Sequence, residues 1–212
     1  KAGGKTKLVH SASSSEGQQT LSIQQTIDRA VQHHNAGRLP EAECLYREIL
    51  ETNPREPNAM NFLGLIAHQR GQNDISVDLI NKALTIKPDL PVAHNNLGLA
   101  LIELDRLDDA VVSFHKALAM APNYATAHNN LGTALQKLGK LGEAMASYHQ
   151  ALAINPDIAE IHNNLGTVFK ELGNWTRPQP LITRLSQSVL IMLRLITTSE
   201  LRLGVWREWM RL

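Results

Sequence analysis

The chain has 212 residues and a hydrophobic fraction of 43%, enough to bury the core of one medium domain or two small ones. Aromatic residues make up only 4%, so this core must be mainly aliphatic, and the net charge of +1 argues against a strongly basic nucleic-acid binder. A single cysteine, Cys44, cannot form an internal disulfide, and no apolar run is long enough to span a membrane. We therefore expect a cytoplasmic protein that contacts neither nucleic acid nor membrane.

The N-terminal residues 1–20 are rich in Gly, Ser, Lys and Gln and contain almost no apolar side chains. Because such a composition cannot bury enough apolar surface to offset the entropy lost on ordering, we expect this segment to be disordered. The chain begins with Lys1 rather than Met, which we interpret as a processed start or a fragment.

A period of 34 residues organises most of the chain. Proline, a Leu-Gly pair, an aromatic residue and several alanines return at the same positions in successive periods. The recurring residues are Pro54, Pro88, Pro122 and Pro156; Leu63-Gly64, Leu97-Gly98, Leu131-Gly132 and Leu165-Gly166; Phe114 and Tyr148; and Ala83, Ala117 and Ala151. Such self-similarity indicates an array of short units, each of which packs only against its neighbours.

This combination of Leu-Gly, Ala-x-x-x-aromatic and Pro in a 34-residue period resembles the tetratricopeptide repeat family. The resemblance covers residues 21–174, with four helix pairs and the first helix of a fifth. It implies an all-α fold, a right-handed superhelix of stacked antiparallel pairs that we name helix A and helix B. In the third repeat we predict helix A at about 92–104 and helix B at about 107–120. The first repeat is atypical, since Arg29-Ala30 replaces Leu-Gly.

Proline, glycine and polar residues predict where the helices end. Pro122 has no N–H and therefore stops helix B, and Asn123, like Asp89 and Asp157, can cap the next helix A. Asp105 can adopt the left-handed conformation at the turn between helices A and B of the third repeat. Glycine, which adopts that conformation readily, stands at the other turns: Gly71, Gly139 and Gly173.

Glycine also recurs inside helix A, where it costs roughly 1 kcal/mol relative to alanine. Gly98 is the example in the third repeat, and the same choice is made in the second, fourth and fifth repeats. We interpret this surface without a Cβ as the place where helix B approaches closely, with Ala110 and Ala117 as small partners.

No arrangement of side chains predicts catalysis. His94, His128 and His162 each begin a helix A, but equivalent positions on stacked helices are roughly 8–10 Å apart, too far for metal bonds of about 2 Å. We interpret the nine histidines as structural or solvated groups that titrate near a pKa of about 6.5. Glu43 disfavours a reactive thiolate at Cys44. We therefore expect no enzyme, no catalytic or metal-binding residue and no cofactor.

Asparagine occupies the fifth and sixth positions of helix A in several repeats. The residues are Asn61, Asn95, Asn96, Asn129, Asn130, Asn163 and Asn164. The recurring H-N-N-L-G motif is similar to that of the arrays attached to peptide O-GlcNAc transferases. That resemblance implies that the position-six amides of Asn96, Asn130 and Asn164 bind the main chain of a peptide in the concave groove, although Phe62 departs from the pattern. The alternative is that these amides brace adjacent helices.

Two functions follow from these features. The first is a protein–protein interaction module, a scaffold whose concave groove binds an extended peptide or a partner protein. The second is the N-terminal, substrate-presenting arm of a larger enzyme, because bacterial O-GlcNAc-transferase-like and sulfotransferase-like proteins carry similar arrays before a catalytic domain. The sequence identifies neither the partner nor the oligomeric state.

The repeat pattern breaks in residues 175–212. Pro178 stands where the period requires Ala, Leu190 where it requires Pro, and Glu200 where it requires Gly. We interpret this tail as the product of a frameshift, because codons shifted by one base allow P-D-Y-A at positions 190–193 and H-N-N-L-G at positions 196–200. The alternative is an amphipathic helix that caps the array.

The frameshift makes a prediction about the encoding DNA. In the frame shifted by one base after Trp175, we expect the pattern E-A, H-K-A, P-D-Y-A and H-N-N-L-G in the phase of the 34-residue period. Sequencing the DNA tests this directly. If the shifted frame lacks this pattern, the frameshift interpretation is wrong.

Overall fold

The computed structural model describes the backbone of residues 23–175 as an all-helical array. Within this part of the chain there are nine helices and no strand, so the predicted fold class is confirmed. The helices are α1 (23–35), α2 (Leu39–Thr52), α3 (Pro57–Gln69), α4 (Asn73–Ile86), α5 (Pro91–Glu103), α6 (Leu107–Met120), α7 (Ala125–Lys137), α8 (Leu141–Ile154) and α9 (Ala159–Trp175). Odd numbers are helix A and even numbers helix B. The interpretations of residues 1–20 and of the tail after Trp175 lie outside the described residues.

The turns between helices A and B use the left-handed conformation that the sequence predicts. Gly71 and Gly139 have φ angles of 75° and 73°, and Asp105 has a φ of 57°. Gly37, which is not among the predicted turn residues, has a φ of 73° at the turn of the first repeat. In α9, however, Gly173 lies inside a helix that continues to Trp175, so the predicted turn at Gly173 is wrong. Glycine permits a left-handed turn but does not impose one, since it adopts helical angles equally well.

Each described helix B ends two residues before its proline, as the sequence predicts. The helix starts differ from the prediction, because the residues in the capping position of α5 and α7 are Leu90 and Tyr124. Neither side chain makes a capping hydrogen bond, so the assignment of this role to Asp89 and Asn123 is wrong. Among helices α2 to α8 only α3 has a side-chain cap. The carboxylate of Glu56 accepts a hydrogen bond from the backbone N–H of Asn58, the second residue of α3.

Helix B packs directly on the glycine inside helix A. A Cβ on Gly98 would lie 2.5 Å from Cε1 of Phe114, and a Cβ on Gly132 would lie 2.6 Å from Cε1 of Tyr148. Both rings are fully buried. The prediction of a close approach is confirmed, and the group nearest to the glycine is the aromatic ring of helix B.

The first two repeats pack by a different contact. The buried apolar residues form two clusters, one in α1–α3 and one from α4 to α9. In the first cluster Ala30 replaces the glycine, and the ring of Tyr46 stacks on Phe62 with centroids 5.3 Å apart. In the second repeat Ile80 replaces the aromatic residue over Gly64. The aromatic contact between repeats therefore occurs where the Leu-Gly pair is missing.

The helices A lie on the inner side of the array. Direct contacts join α3 to α5, α5 to α7 and α7 to α9. No comparable contact joins α4 to α6 or α6 to α8 in the described residues, so the helices B are farther apart. Because consecutive helices approach more closely on the inside of a curve, helix A forms the concave face.

The glycine contact predicts opposite effects of one substitution at two equivalent positions. Gly132→Ala should destabilise the array, because overpacking against the Tyr148 ring costs about 1–3 kcal/mol. Gly166→Ala should stabilise it by up to about 1 kcal/mol, since no described atom lies within 4 Å of a Cβ there and alanine favours helix. Denaturant unfolding of the two variants measures the difference. Equal effects would contradict the assigned contact.

Candidate functional site

The asparagines of helix A form hydrogen bonds from one repeat to the next. Nδ2 of Asn96 donates to Oδ1 of Asn61 at 3.1 Å. Nδ2 of Asn130 donates to Oδ1 of Asn95 at 2.9 Å. Each position-six amide therefore pairs with the position-five residue of the preceding repeat, 35 residues earlier. We call the three pairs Asn61–Asn96, Asn95–Asn130 and Asn129–Asn164 the amide row; the third bond is 3.1 Å long.

Exposure divides the amide row into two parts. Its N-terminal members are buried, with exposed fractions of 3%, 3%, 4% and 5% for Asn61, Asn95, Asn96 and Asn129. Asn130 and Asn164 are half-buried, and their neighbour Asn163 is exposed. The accessible asparagines therefore lie in the fourth and fifth repeats.

A primary amide has more hydrogen-bonding groups than a pair bond uses. It carries two N–H donors and a carbonyl oxygen, and the bond from Asn130 or Asn164 uses one N–H. The second N–H and the carbonyl oxygen can therefore pair with a polar group that approaches from the concave side. A peptide main chain offers both complementary groups.

Phe62, which departs from the asparagine pattern, has a different contact. Its ring stacks on Tyr46 and lies 6.3 Å from the ring of His34. The second repeat still contributes an amide, since Asn61 at position five accepts the bond from Asn96. At the first junction a ring contact therefore stands where each later junction has an amide pair.

Further polar contacts that the sequence analysis missed surround the C-terminal amides. Nε2 of Gln136 donates to Glu171 at 2.8 Å, and the hydroxyl of Tyr148 donates to Gln136 at 3.1 Å. Nδ2 of Asn129 donates to Glu160 at 3.1 Å. The Gln136–Glu171 bond again spans 35 residues, so pairs of polar residues at that spacing were the signal that could have found it.

The recurring histidines form hydrogen bonds to the loop that precedes helix A. Nε2 of His94 lies 2.9 Å from the carbonyl oxygen of Pro88. The same distance of 2.9 Å joins His128 to Pro122 and His162 to Pro156. Because a carbonyl oxygen only accepts, Nε2 carries the proton. This bond supports the structural interpretation of these histidines, and the spacing Pro-x5-His in three repeats was its signal in the sequence.

The environment of two histidines changes their titration. Burial lowers the pKa of His94, an effect that outweighs the opposing hydrogen bond to Pro88 and is reinforced by the positive charge of Lys116. Its Nδ1 is buried without a hydrogen-bond partner, so a proton there would have no acceptor. Burial also lowers the pKa of His34. The expectation that all nine histidines titrate near 6.5 is therefore wrong for these two.

The described part of the chain holds few groups suited to other chemistry. There, no three His, Cys, Asp or Glu side chains converge as a metal site would require. Cys44 is an exposed thiol. None of the described helices combines the length and apolar character needed to cross a bilayer.

Family comparisons agree with the repeat geometry. A family model described as "Tetratricopeptide repeat" matches residues 28–91, and one described as "TPR repeat" matches residues 98–139 and 134–173. Comparison with curated proteins gave no match. Residues 23–175 form an all-helical repeat scaffold of the protein-interaction class. The chain belongs to the tetratricopeptide repeat family.

Solved structures show the same architecture. TTC0263, a thermophilic TPR protein of Thermus thermophilus, is 25% identical with a TM-score of 0.64, over 71% of this chain and 83% of that one. The first TPR of Spaghetti (RPAP3), bound to the HSP90 peptide SRMEEVD, is 26% identical with a TM-score of 0.54, over 55% and 93%. Pseudomonas aeruginosa pilF, at 18% identity, has a TM-score of 0.66 over 74% and 71%. This last similarity concerns the fold alone.

The buried His94 predicts how stability depends on pH. An unfolded histidine has a pKa of about 6.5, and the folded pKa is lower, so the unfolded state binds more protons between the two values. The free energy of unfolding should therefore decrease as the pH falls below about 6.5 toward the folded pKa, and stay level above it. In His94→Gln, whose amide can still donate to Pro88, this decrease should be smaller. Denaturant unfolding at pH 7.5 and 5.5, about one unit on either side of the unfolded pKa, measures the loss of unfolding free energy. A loss as large in His94→Gln as in the unchanged protein would contradict the assignment.

Proposed function

We propose that the concave face binds an extended peptide, or an extended segment of a partner protein, through the amide row. The observation that supports this proposal is the repetition of one amide pair at three successive junctions of the helices A. A regular array of identical donors and acceptors suits a ligand that is itself regular, and an extended main chain is such a ligand.

The accessible and buried asparagines have different parts in this proposal. Asn130, Asn163 and Asn164 contact the ligand, because they are the accessible members. The buried members, Asn96 among them, hold consecutive helices A at a fixed distance, which sets the spacing of the accessible amides. Binding is therefore centred on the fourth and fifth repeats.

The spacing of the repeats determines which residues of a bound peptide the concave face contacts. Packed helices lie roughly 8–10 Å apart, and an extended peptide rises about 3.3 Å per residue. Successive amides therefore meet about every third residue of the ligand. Since an amide can donate to a main-chain carbonyl oxygen and accept from an N–H, this recognition depends little on the side chains of the peptide.

The charge of the concave face favours a neutral ligand. The Spaghetti structure holds a peptide with several acidic residues, which supports peptide binding as a role that a TPR domain can have. In this protein Lys137 of α7 and Lys170 of α9 are accompanied by Glu160 and Glu171, both of which lie on α9. Without a cluster of unbalanced cations, an acidic tail is not the favoured partner.

A scaffold of this kind needs no chemistry of its own, and we propose that the array is not itself catalytic and uses no cofactor. A second candidate is a substrate-presenting arm of a larger glycosyltransferase or sulfotransferase. The H-N-N-L-G motif recurs at residues 94–98, 128–132 and 162–166. It favours this second candidate, because the motif resembles that of arrays that precede such catalytic domains. A glycosyltransferase or sulfotransferase domain encoded downstream would support the arm.

The groove is tested with peptides selected from a library of short random sequences displayed on phage. For a selected peptide, Asn130→Ala with Asn164→Ala should weaken binding by about 1–3 kcal/mol, because each amide bond contributes about 0.5–1.5 kcal/mol. Methylating main-chain nitrogens of the peptide should weaken binding at regular intervals, whereas most side-chain changes should not. Isothermal titration calorimetry measures both effects.

Asn96→Ala is the matched control, because it removes the same amide from a buried position. It leaves Oδ1 of Asn61 without its partner, so it should cost about 1–3 kcal/mol of stability. At a temperature where the protein stays folded, its affinity for the peptide should change less than in the double variant. If the double variant loses stability but binds the peptide unchanged, the amides only brace the fold and the proposal is wrong.

A further inference from the structure

The last junction of the amide row ends on a carboxylate. Nδ2 of Asn129 donates to Oε1 of Glu160 at 3.1 Å, and Oδ1 of the same amide accepts from Nδ2 of Asn164 at 3.1 Å. Asn129 is 5% exposed, so its amide is held between these two partners and largely away from solvent. Glu160 and Asn164 both lie on α9, and one helix therefore determines what each end of a buried amide on α7 meets.

The carboxylate gives this chain of hydrogen bonds a direction. An ionised carboxylate can only accept, so Asn129 must turn its N–H groups toward Glu160. The oxygen of Asn129 then faces Asn164, which must donate from its Nδ2, and the oxygen of Asn164 is left without a role in the pair. In the opposite arrangement two acceptor oxygens would meet at the 3.1 Å that now joins Asn129 to Glu160.

The two earlier junctions have no carboxylate at the corresponding position. Asn129 and Glu160 are 31 residues apart, and at the same spacing Asn61 is followed by Val92 and Asn95 by Thr126. A valine side chain forms no hydrogen bond, and a threonine hydroxyl can both donate and accept, so neither imposes a direction on the amide. Of the three junctions, the last is therefore the one whose direction this position determines.

A second carboxylate of α9 acts in the same way on Gln136, but its chain of hydrogen bonds ends inside the array. Nε2 of Gln136 donates to Glu171, and its Oε1 accepts from the hydroxyl of the fully buried Tyr148. Asn164 differs, because it is half-buried on the concave side and no described residue donates to its Oδ1. This oxygen is therefore an acceptor that a ligand in the groove can reach.

We propose that Glu160 is a positioning residue of the amide row: it turns Asn129, and through it Asn164, so that Oδ1 of Asn164 accepts a main-chain N–H of the ligand. The part of this statement that concerns the ligand rests on the peptide binding proposed above. Because proline has no N–H, the ligand is an extended segment without proline at the residue that meets Asn164.

Neutron diffraction from crystals of the full chain exchanged into heavy water tests the direction, because it shows deuterium on the amide nitrogens. We expect deuterium between Asn129 and Glu160, and on Asn164 where it faces Asn129. Glu160 is exposed, so Glu160→Lys should fold; its ammonium group can only donate, and both amides should therefore be reversed. Glu103→Lys is the matched control, because it makes the same charge change at an exposed position of α5 and should leave the direction unchanged.

The use of the Asn164 oxygen is tested with a peptide selected by phage display on the unchanged protein, and with analogues in which one main-chain N–H is replaced by an ester oxygen. One analogue should bind the unchanged protein about two- to tenfold more weakly than its parent peptide, as the loss of one hydrogen bond requires. This difference should disappear in Asn164→Ala and in Glu160→Lys but remain in Glu103→Lys. Isothermal titration calorimetry measures the affinities.

The proposal is overturned if the diffraction maps of the unchanged protein show the amides turned the other way, or if Glu160→Lys leaves them as they are. It is equally overturned if no ester analogue loses its deficit in Asn164→Ala, or if the deficit persists in Glu160→Lys. If no peptide binds the unchanged protein, the proposed function is wrong, whereas the diffraction maps still decide whether Glu160 sets the direction of the pair.

Discussion

The contact between a glycine in helix A and the ring above it in helix B determines the geometry of the third and fourth repeats. The rings of Phe114 and Tyr148 lie where the Cβ of any other residue at positions 98 and 132 would be. This close approach sets the distance within a pair, and consecutive helices A contact one another on the inner side of the array. A glycine that weakens an isolated helix by roughly 1 kcal/mol is thus required by the packing of two helices.

Once the helices A are held side by side, their polar residues meet across the junctions. The amide row joins the third, fourth and fifth repeats each to the one before it, and the Gln136–Glu171 and Asn129–Glu160 bonds add further links at the C-terminal end. Bracing and the proposed recognition therefore use the same residue type on the same face. A ligand that pairs with Asn130 and Asn164 would contact groups whose positions are set by the bonds between repeats, so its binding depends on the curvature of the array.

The two ends of the described array differ in how the helix A of the terminal repeat is covered. At the N-terminal end, Ala30 replaces the glycine and Tyr46 stacks on Phe62, which forms a separate apolar cluster. At the C-terminal end, Gly166 and Phe169 remain uncovered by described residues although the helix that carries them is regular. The first arrangement completes the packing within the protein, and the second leaves a surface with the shape and chemistry of an internal contact.

The sequence by itself determined the helix pairs, the turns at Gly71, Asp105 and Gly139, and the close approach at Gly98, because proline, glycine and a 34-residue period act locally or between adjacent segments. It also identified the asparagines, but not which group each amide meets. Only the tertiary structure decided that Asn96 bonds to Asn61 and is buried, that His94 holds Pro88, and that Phe62 packs on Tyr46. The physical reason is that such a partner is chosen by the distance between stacked helices, which depends on the packing of all the side chains between them and not on the spacing of residues along the sequence.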